Sequence, residues 1–166
     1  MSNERIITAV RQSLRAISHP HFFNTERGYQ GELLAELRKR LPRLKINKGR
    51  AVIQQEYQKT RQDHGIRLRP DLLIHEPFDS RHHRDRTQGN YAVFELKRLS
   101  TPKKAQDDFC SLFQLMKALN YPLAFFVNID SGTTHIAHAP SNMPGRLIAF
   151  AVKLIDGHVV LKEEEF

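Results

Sequence analysis

The chain has 166 residues, a mass of 19.3 kDa and a formal net charge of +8, with 40% hydrophobic residues. That is one ordinary domain over 1–166 with enough apolar material for a core, which excludes wholesale disorder. One cysteine, Cys110, excludes a disulfide framework and a cysteine metal cluster and reads as a small core residue; Glu4, Arg5, Arg11 and Arg15 break any signal-peptide core, and the apolar stretches around Phe125 and Ile148 are too short to cross a membrane, so a soluble, cytoplasmic protein is expected.

Ile6, Val10, Leu14 and Ile17 recur at helical spacing and predict an amphipathic helix over 3–17, ended by Ser18-His19-Pro20. Leu33, Leu34, Leu37 and Leu41 predict a second helix over about 26–41, closed by Pro42. Its end opens a basic run, Arg38, Lys39, Arg40, Arg43, Lys45, Lys48 and Arg50, with no acid between them. Residues 1–50 hold 11 basic against 4 acidic side chains, whereas 101–166 hold 6 against 7. Such a field attracts polyanions, and three of its members would equally complement the negative end of the helix.

The period then changes to that of strands. Residues 51–58 and 67–75 read as two strands with a turn at 62–65. A polar loop over 77–90 carries Arg81, Arg84 and Arg86 with His82-His83, and reads as a nucleic-acid-touching segment, not a zinc site. Tyr91 to Lys97 is a third strand. Ser100-Thr101-Pro102 starts a helix that carries Phe109, Leu112, Phe113, Met116 and Leu119 on one face and stops before Pro122. Residues 123–129 form a fourth strand, parallel to the third through a right-handed crossover. Short strands follow at about 133–138, 148–155 and 158–162, the last two joined by Asp156-Gly157. His135 and His138, three apart on a strand, would face opposite sides.

One spacing carries chemistry. Pro70-Asp71 lies on the second strand and Glu95-Leu96-Lys97 on the third. Side chains alternate, so Glu95 and Lys97 share one face, and pairing of the two strands sets Asp71 beside Glu95. Two carboxylates suit a hard divalent ion, and a neighbouring ammonium can orient water or meet charge on a phosphate. The alternative is a structural cross-strand ion pair.

These residues resemble the motif of the PD-(D/E)XK nuclease superfamily. The order helix, three-stranded meander, helix, strand over roughly 26–130 also resembles its core. The resemblance implies an α/β, restriction-endonuclease-like fold: a mixed four-stranded sheet flanked by helices (αβββαβ), here with an extra N-terminal helix and a C-terminal β-hairpin. It implies a nuclease cutting DNA, with RNA left open, and Mg²⁺ or Mn²⁺ as cofactor. Homodimers are common in that family. By the same resemblance Asp71, Glu95 and the Leu96 backbone carbonyl are the metal ligands and Lys97 the catalytic lysine. Glu32 is the match for the family's glutamate on the first core helix, with Glu26 and Glu36 as rivals. Gln114 is the match for a glutamine on the helix after the lysine, with Gln106 as rival. Glu56 reads first as a solvent-facing partner of Lys59 or Arg69, and second as an extra metal ligand. The competing functional readings are a non-cleaving nucleic-acid-binding module on the same fold, a subunit of a larger DNA-processing complex, and an interaction protein whose basic face serves solubility.

Overall fold

The helices that begin at Glu26 and Pro102 carry the punctuation their sequence announces. The structure, a computed structural model, describes residues 3–41 and 51–166. Helix α1 (Asn3–Ala16) buries Ile6, Val10 and Leu14 on one stripe. A single 3₁₀ turn at Pro20–Asn24 leads into α2 (Glu26–Arg40), whose cap is Thr25: its hydroxyl accepts the Gly28 N–H at 3.0 Å. Strand β1 (Val52–Gln55), the one-turn helix α3 (Arg61–His64), β2 (Leu72–His75) and β3 (Asn90–Arg98) follow. Helix α4 (Pro102–Leu119) starts on a Thr101 cap with proline in its first turn and ends on Asn120 in the left-handed region (φ 56°). Then come β4 (Leu123–Ile129), a 3₁₀ turn at Ile136–His138, β5 (Arg146–Ile155) and β6 (His158–Glu165).

The six strands form one mixed sheet in the order β1-β2-β3-β4-β5-β6. The β1/β2 and β2/β3 pairs are antiparallel, β3/β4 and β4/β5 parallel, and β5/β6 antiparallel. Alternation along the strands divides the core in two. Phe94 and Leu96, with Phe125, Val127 and Phe150, pack under α1 and α2. Val93, Ala124, Phe126 and Ala149 pack against Phe109, Leu112 and Met116 of α4. Phe94 and Phe125 stack at 4.7 Å between centroids. No helix among the described residues is long and apolar enough to cross a membrane.

Several expectations change. The expected four-stranded sheet plus separate hairpin is one six-stranded sheet, because β5 is apolar from Leu147 to Val152 and pairs in full with β4. Asp156 and Gly157 both have positive φ (49° and 78°), as a two-residue hairpin turn of right-twisted strands requires. The expected strand at 133–138 is a turn. Buried Asn128 holds the Thr133 carbonyl (2.8 Å) and the Ser131 hydroxyl (3.0 Å), and His135 takes φ 57°, so the segment is tied by side chains and not by a ladder. That turn brings the His135 and His138 rings to 6.1 Å, contrary to the expected opposite facing. Cys110 is exposed on α4, outside the core stripe.

Candidate active site

Asp71 stands where β2 begins, and its backbone is pinned on every side. Its N–H donates to the Phe94 carbonyl (3.2 Å), and its own carbonyl accepts from the Glu56 N–H (2.9 Å) and from Gln30 Nε2 (2.7 Å). Its side-chain Oδ2 accepts the Leu96 N–H at 2.7 Å. β2 pairs with β3, Leu72 opposite Phe94, so Asp71 lies beside Glu95. An extended residue sends its N–H and C=O to the same strand edge, so the Leu96 carbonyl faces the Asp71 edge as well.

Glu95 is 8% exposed, on the α4 side of the sheet with Lys97. Burial, then the negative charges of Asp71 and Asp108, push its carboxyl well above the usual range. Burial also raises Asp71, against the opposing pull of the Leu96 N–H and Lys97. Asp108, on α4, rises to about 6, chiefly through burial, with Lys97 opposing. Its Oδ2 is buried and has no hydrogen-bond partner. The Lys97 ammonium lies 3.5 Å from Glu26 and 4.0 Å from Asp108. Burial lowers its pKa, but the surrounding acids, Asp108 first, outweigh this and raise it. Glu26 also accepts the Arg98 N–H at 3.2 Å, and Arg98 in turn holds the Phe23 carbonyl (2.7 Å) and Asp130 (3.0 Å). Four carboxyl groups therefore surround one ammonium.

The donor chemistry fits a hard divalent ion. Among the described residues no three His, Cys, Asp or Glu side chains group closely enough to hold a metal by themselves. Asp71 and Glu95 supply two ligands, and the Leu96 carbonyl is the third oxygen on that edge.

The expectations for this site divide. Asp71, Glu95 and Lys97 come together. Glu32 does not join them, being one turn and a half along α2 from the start that faces Lys97; Glu26 takes that place instead. Glu36 pairs with Lys39 and Arg40. Gln114 is exposed on α4, as is Gln106, and the α4 residue that reaches Lys97 is Asp108, three residues after buried Ala105 and four before buried Leu112. Glu56 pairs with Arg69 (3.9 Å) and Arg27 (4.0 Å), not with Lys59. Two residues were missed. Asp108 was signalled by an acid on the apolar stripe of α4. Gln30, 2% exposed, was signalled by its place one turn after Glu26 on the buried face of α2.

The expected polyanion-binding residues are only partly in view. Arg43, Lys45, Lys48 and Arg50 lie outside the described residues. Lys39 and Arg40 are tied to Glu36, Arg40 also reaches the Glu36 carbonyl, and exposed Arg38 reaches the Ile53 carbonyl of β1 at 3.5 Å, so Arg40 is the one of the three that bonds a carbonyl of its own helix end. Arg81 forms a two-point bridge to Asp79, Arg86 pairs with Asp63, and Arg84 is exposed. His83 is buried against Glu76 (3.3 Å), so it anchors the 77–90 loop and does not face a ligand. No family model matches the chain, and neither a curated protein nor a solved structure matches it.

Proposed function

We propose that the chain is a metal-dependent phosphodiester hydrolase of the PD-(D/E)XK type, with DNA as substrate. The observation that carries this reading is the pair of half-buried Asp71 and buried Glu95, fixed at the junction of β2 and β3 with the Lys97 ammonium beside it. The succession α2-β1-β2-β3-α4-β4 supports a restriction-endonuclease-like core inside the six-stranded sheet.

Asp71, Glu95 and the Leu96 carbonyl would hold Mg²⁺ or Mn²⁺. Bound there, the ion supplies Lewis-acid polarisation and neutralises charge that builds on a phosphate. Lys97 orients the attacking water and meets the developing negative charge. Asp108 and Glu26 position Lys97: they hold its side chain from two helices on opposite faces of the sheet and keep it protonated. Gln30 and the Leu96 N–H fix Asp71, so little reorganisation remains at the moment of reaction. Arg27 and Arg69, both largely exposed and grouped around Glu56 next to Asp71, give the backbone of a polyanion its approach.

The test is cleavage of plasmid and oligonucleotide DNA by purified protein with Mg²⁺ or Mn²⁺. Wild type is expected to cut, and Lys97→Ala to lose at least a hundredfold, about the effect of removing one preorganised charge-stabilising group. Unchanged cutting by folded Lys97→Ala rejects the mechanism.

A further inference from the structure

A second polar cavity lies at the other end of β2. His75 closes that strand four residues beyond Asp71, about 13 Å away along an extended chain. The cavity is lined by Tyr57, Lys59, His64, His75, Phe78 and Arg86, and neither Lys59 nor Arg86 belongs to the Asp71 site.

Lys59 is the unusual member. It is 2% exposed, yet no carboxylate among the described residues forms an ion pair with it. The remaining residues, 1–2 and 42–50, contain neither Asp nor Glu. Its ammonium lies 4.5 Å from the Tyr57 ring and 5.9 Å from that of Tyr121, contacts that offset only part of the cost of burying a charge. Arg86 adds a second cation to the same wall. Its guanidinium rests 4.8 Å over the Phe78 ring, and its ion pair with Asp63 (3.2 Å) is solvent-exposed. The one acid in the wall, Glu76, directs its oxygens to Tyr91 (2.5 Å) and His83 (3.3 Å). The two histidines are held as hydrogen-bond donors and acceptors. His64 Nδ1 accepts the Thr60 N–H (3.1 Å), which leaves its Nε2 to carry the proton, and His75 Nε2 meets Gln54 Oε1 at 3.0 Å. Gln88, whose Oε1 accepts the Arg84 N–H (2.9 Å), and Asn90 complete the lining, and the wall is rich in positive charge.

Size narrows the ligand. The cavity has about 20 Å³ of room for water-sized centres, and one such centre needs roughly 10–15 Å³. One oxygen of an anion can enter while the rest stays at the mouth, where Phe78 is exposed. A carboxylate would satisfy one cation, whereas a tetrahedral oxyanion presents oxygens to Lys59 and Arg86 together.

We propose that this cavity is an oxyanion site in which Lys59 and Arg86 hold a phosphate group. Its source is either free phosphate or the phosphorylated end of a nucleic-acid strand. The site stands independently of the hydrolase reading, because its binding needs no divalent ion.

The test is titration calorimetry with inorganic phosphate in EDTA, at constant ionic strength set with chloride, on wild type, Lys59→Met and Arg86→Gln. Saturable binding is expected in wild type, weakened about tenfold or more in each variant as one charge-assisted contact is lost. Absence of saturable binding, or equal affinity in wild type and a folded variant, overturns the proposal. Arg86 is partly exposed, so Arg86→Gln decides the matter if Lys59→Met does not fold. Competition by oligonucleotides with 5′-phosphate, 3′-phosphate or hydroxyl ends then assigns the source. Stronger competition from one phosphorylated end identifies the strand terminus, and equal weakness in all three identifies free phosphate.

Discussion

Asp108→Asn separates the cost of the acid cluster from its use. The Asp108 carboxyl moves from its ordinary 3.8 to about 6 on folding, and its side chain is 14% exposed, so solvent screening removes little of the effect. Because the folded pKa is raised, the native state binds more protons than the unfolded one between these values. Stability is therefore full below about pH 4 and falls as pH rises through 6. Just over two pH units at 1.36 kcal/mol each gives about 3 kcal/mol as the upper size of the loss. Asparagine imitates the protonated form in shape and carries no charge. In metal-free buffer the variant should match wild type near pH 3.5 and exceed it by up to about 3 kcal/mol at pH 8. Urea unfolding at the two pH values, followed by circular dichroism, reads the difference directly. A variant less stable than wild type at pH 8, or a difference independent of pH, refutes the reasoning. The same substitution frees Lys97 on one side and should slow cleavage, so stability and activity move in opposite directions.

Other outcomes follow from the same geometry. Glu95→Gln and Asp71→Asn should abolish cleavage and leave the far-ultraviolet spectrum unchanged, checked by plasmid nicking beside circular dichroism. Glu26→Gln should impair cleavage whereas Glu32→Ala and Gln114→Ala should be silent, since of these three Glu26 alone touches Lys97; the reverse order would place the helix residue elsewhere. Gln30→Ala removes the 2.7 Å bond to the Asp71 carbonyl and should cost about 1 kcal/mol in urea unfolding, because the Glu56 N–H still satisfies that oxygen. Mg²⁺ should raise the unfolding midpoint of wild type at pH 8, more than at pH 5 where protons compete for Asp71 and Glu95, and should leave Glu95→Gln unaffected.

The parts of the fold written in local rules were legible in the sequence. The α4 start at Thr101-Pro102, the β4 bounds and the Asp156-Gly157 hairpin all depend on neighbours in the chain. The pairing of Pro70-Asp71 with Glu95-Leu96-Lys97 was legible because strand alternation converts spacing into geometry. Residues brought in by tertiary packing were not. Glu26 and Glu32 are both acids on one helix, and only the rotation and height of α2 against the sheet selects Glu26. Asp108 was hidden because helical amphipathicity was read for its apolar members, whereas the polar residue on the apolar stripe was the informative one. The 133–138 segment looked like a strand, and the buried Asn128 side chain, which ties it down as a turn, has no signature in a hydrophobic pattern.

The most direct measurement is anomalous diffraction from crystals soaked in Mn²⁺. The account predicts a peak bounded by Asp71, Glu95 and the Leu96 carbonyl in wild type and none in Glu95→Gln. A wild-type crystal with Mn²⁺ bound elsewhere and this trio bare, from protein soaked at neutral pH or above, would contradict it.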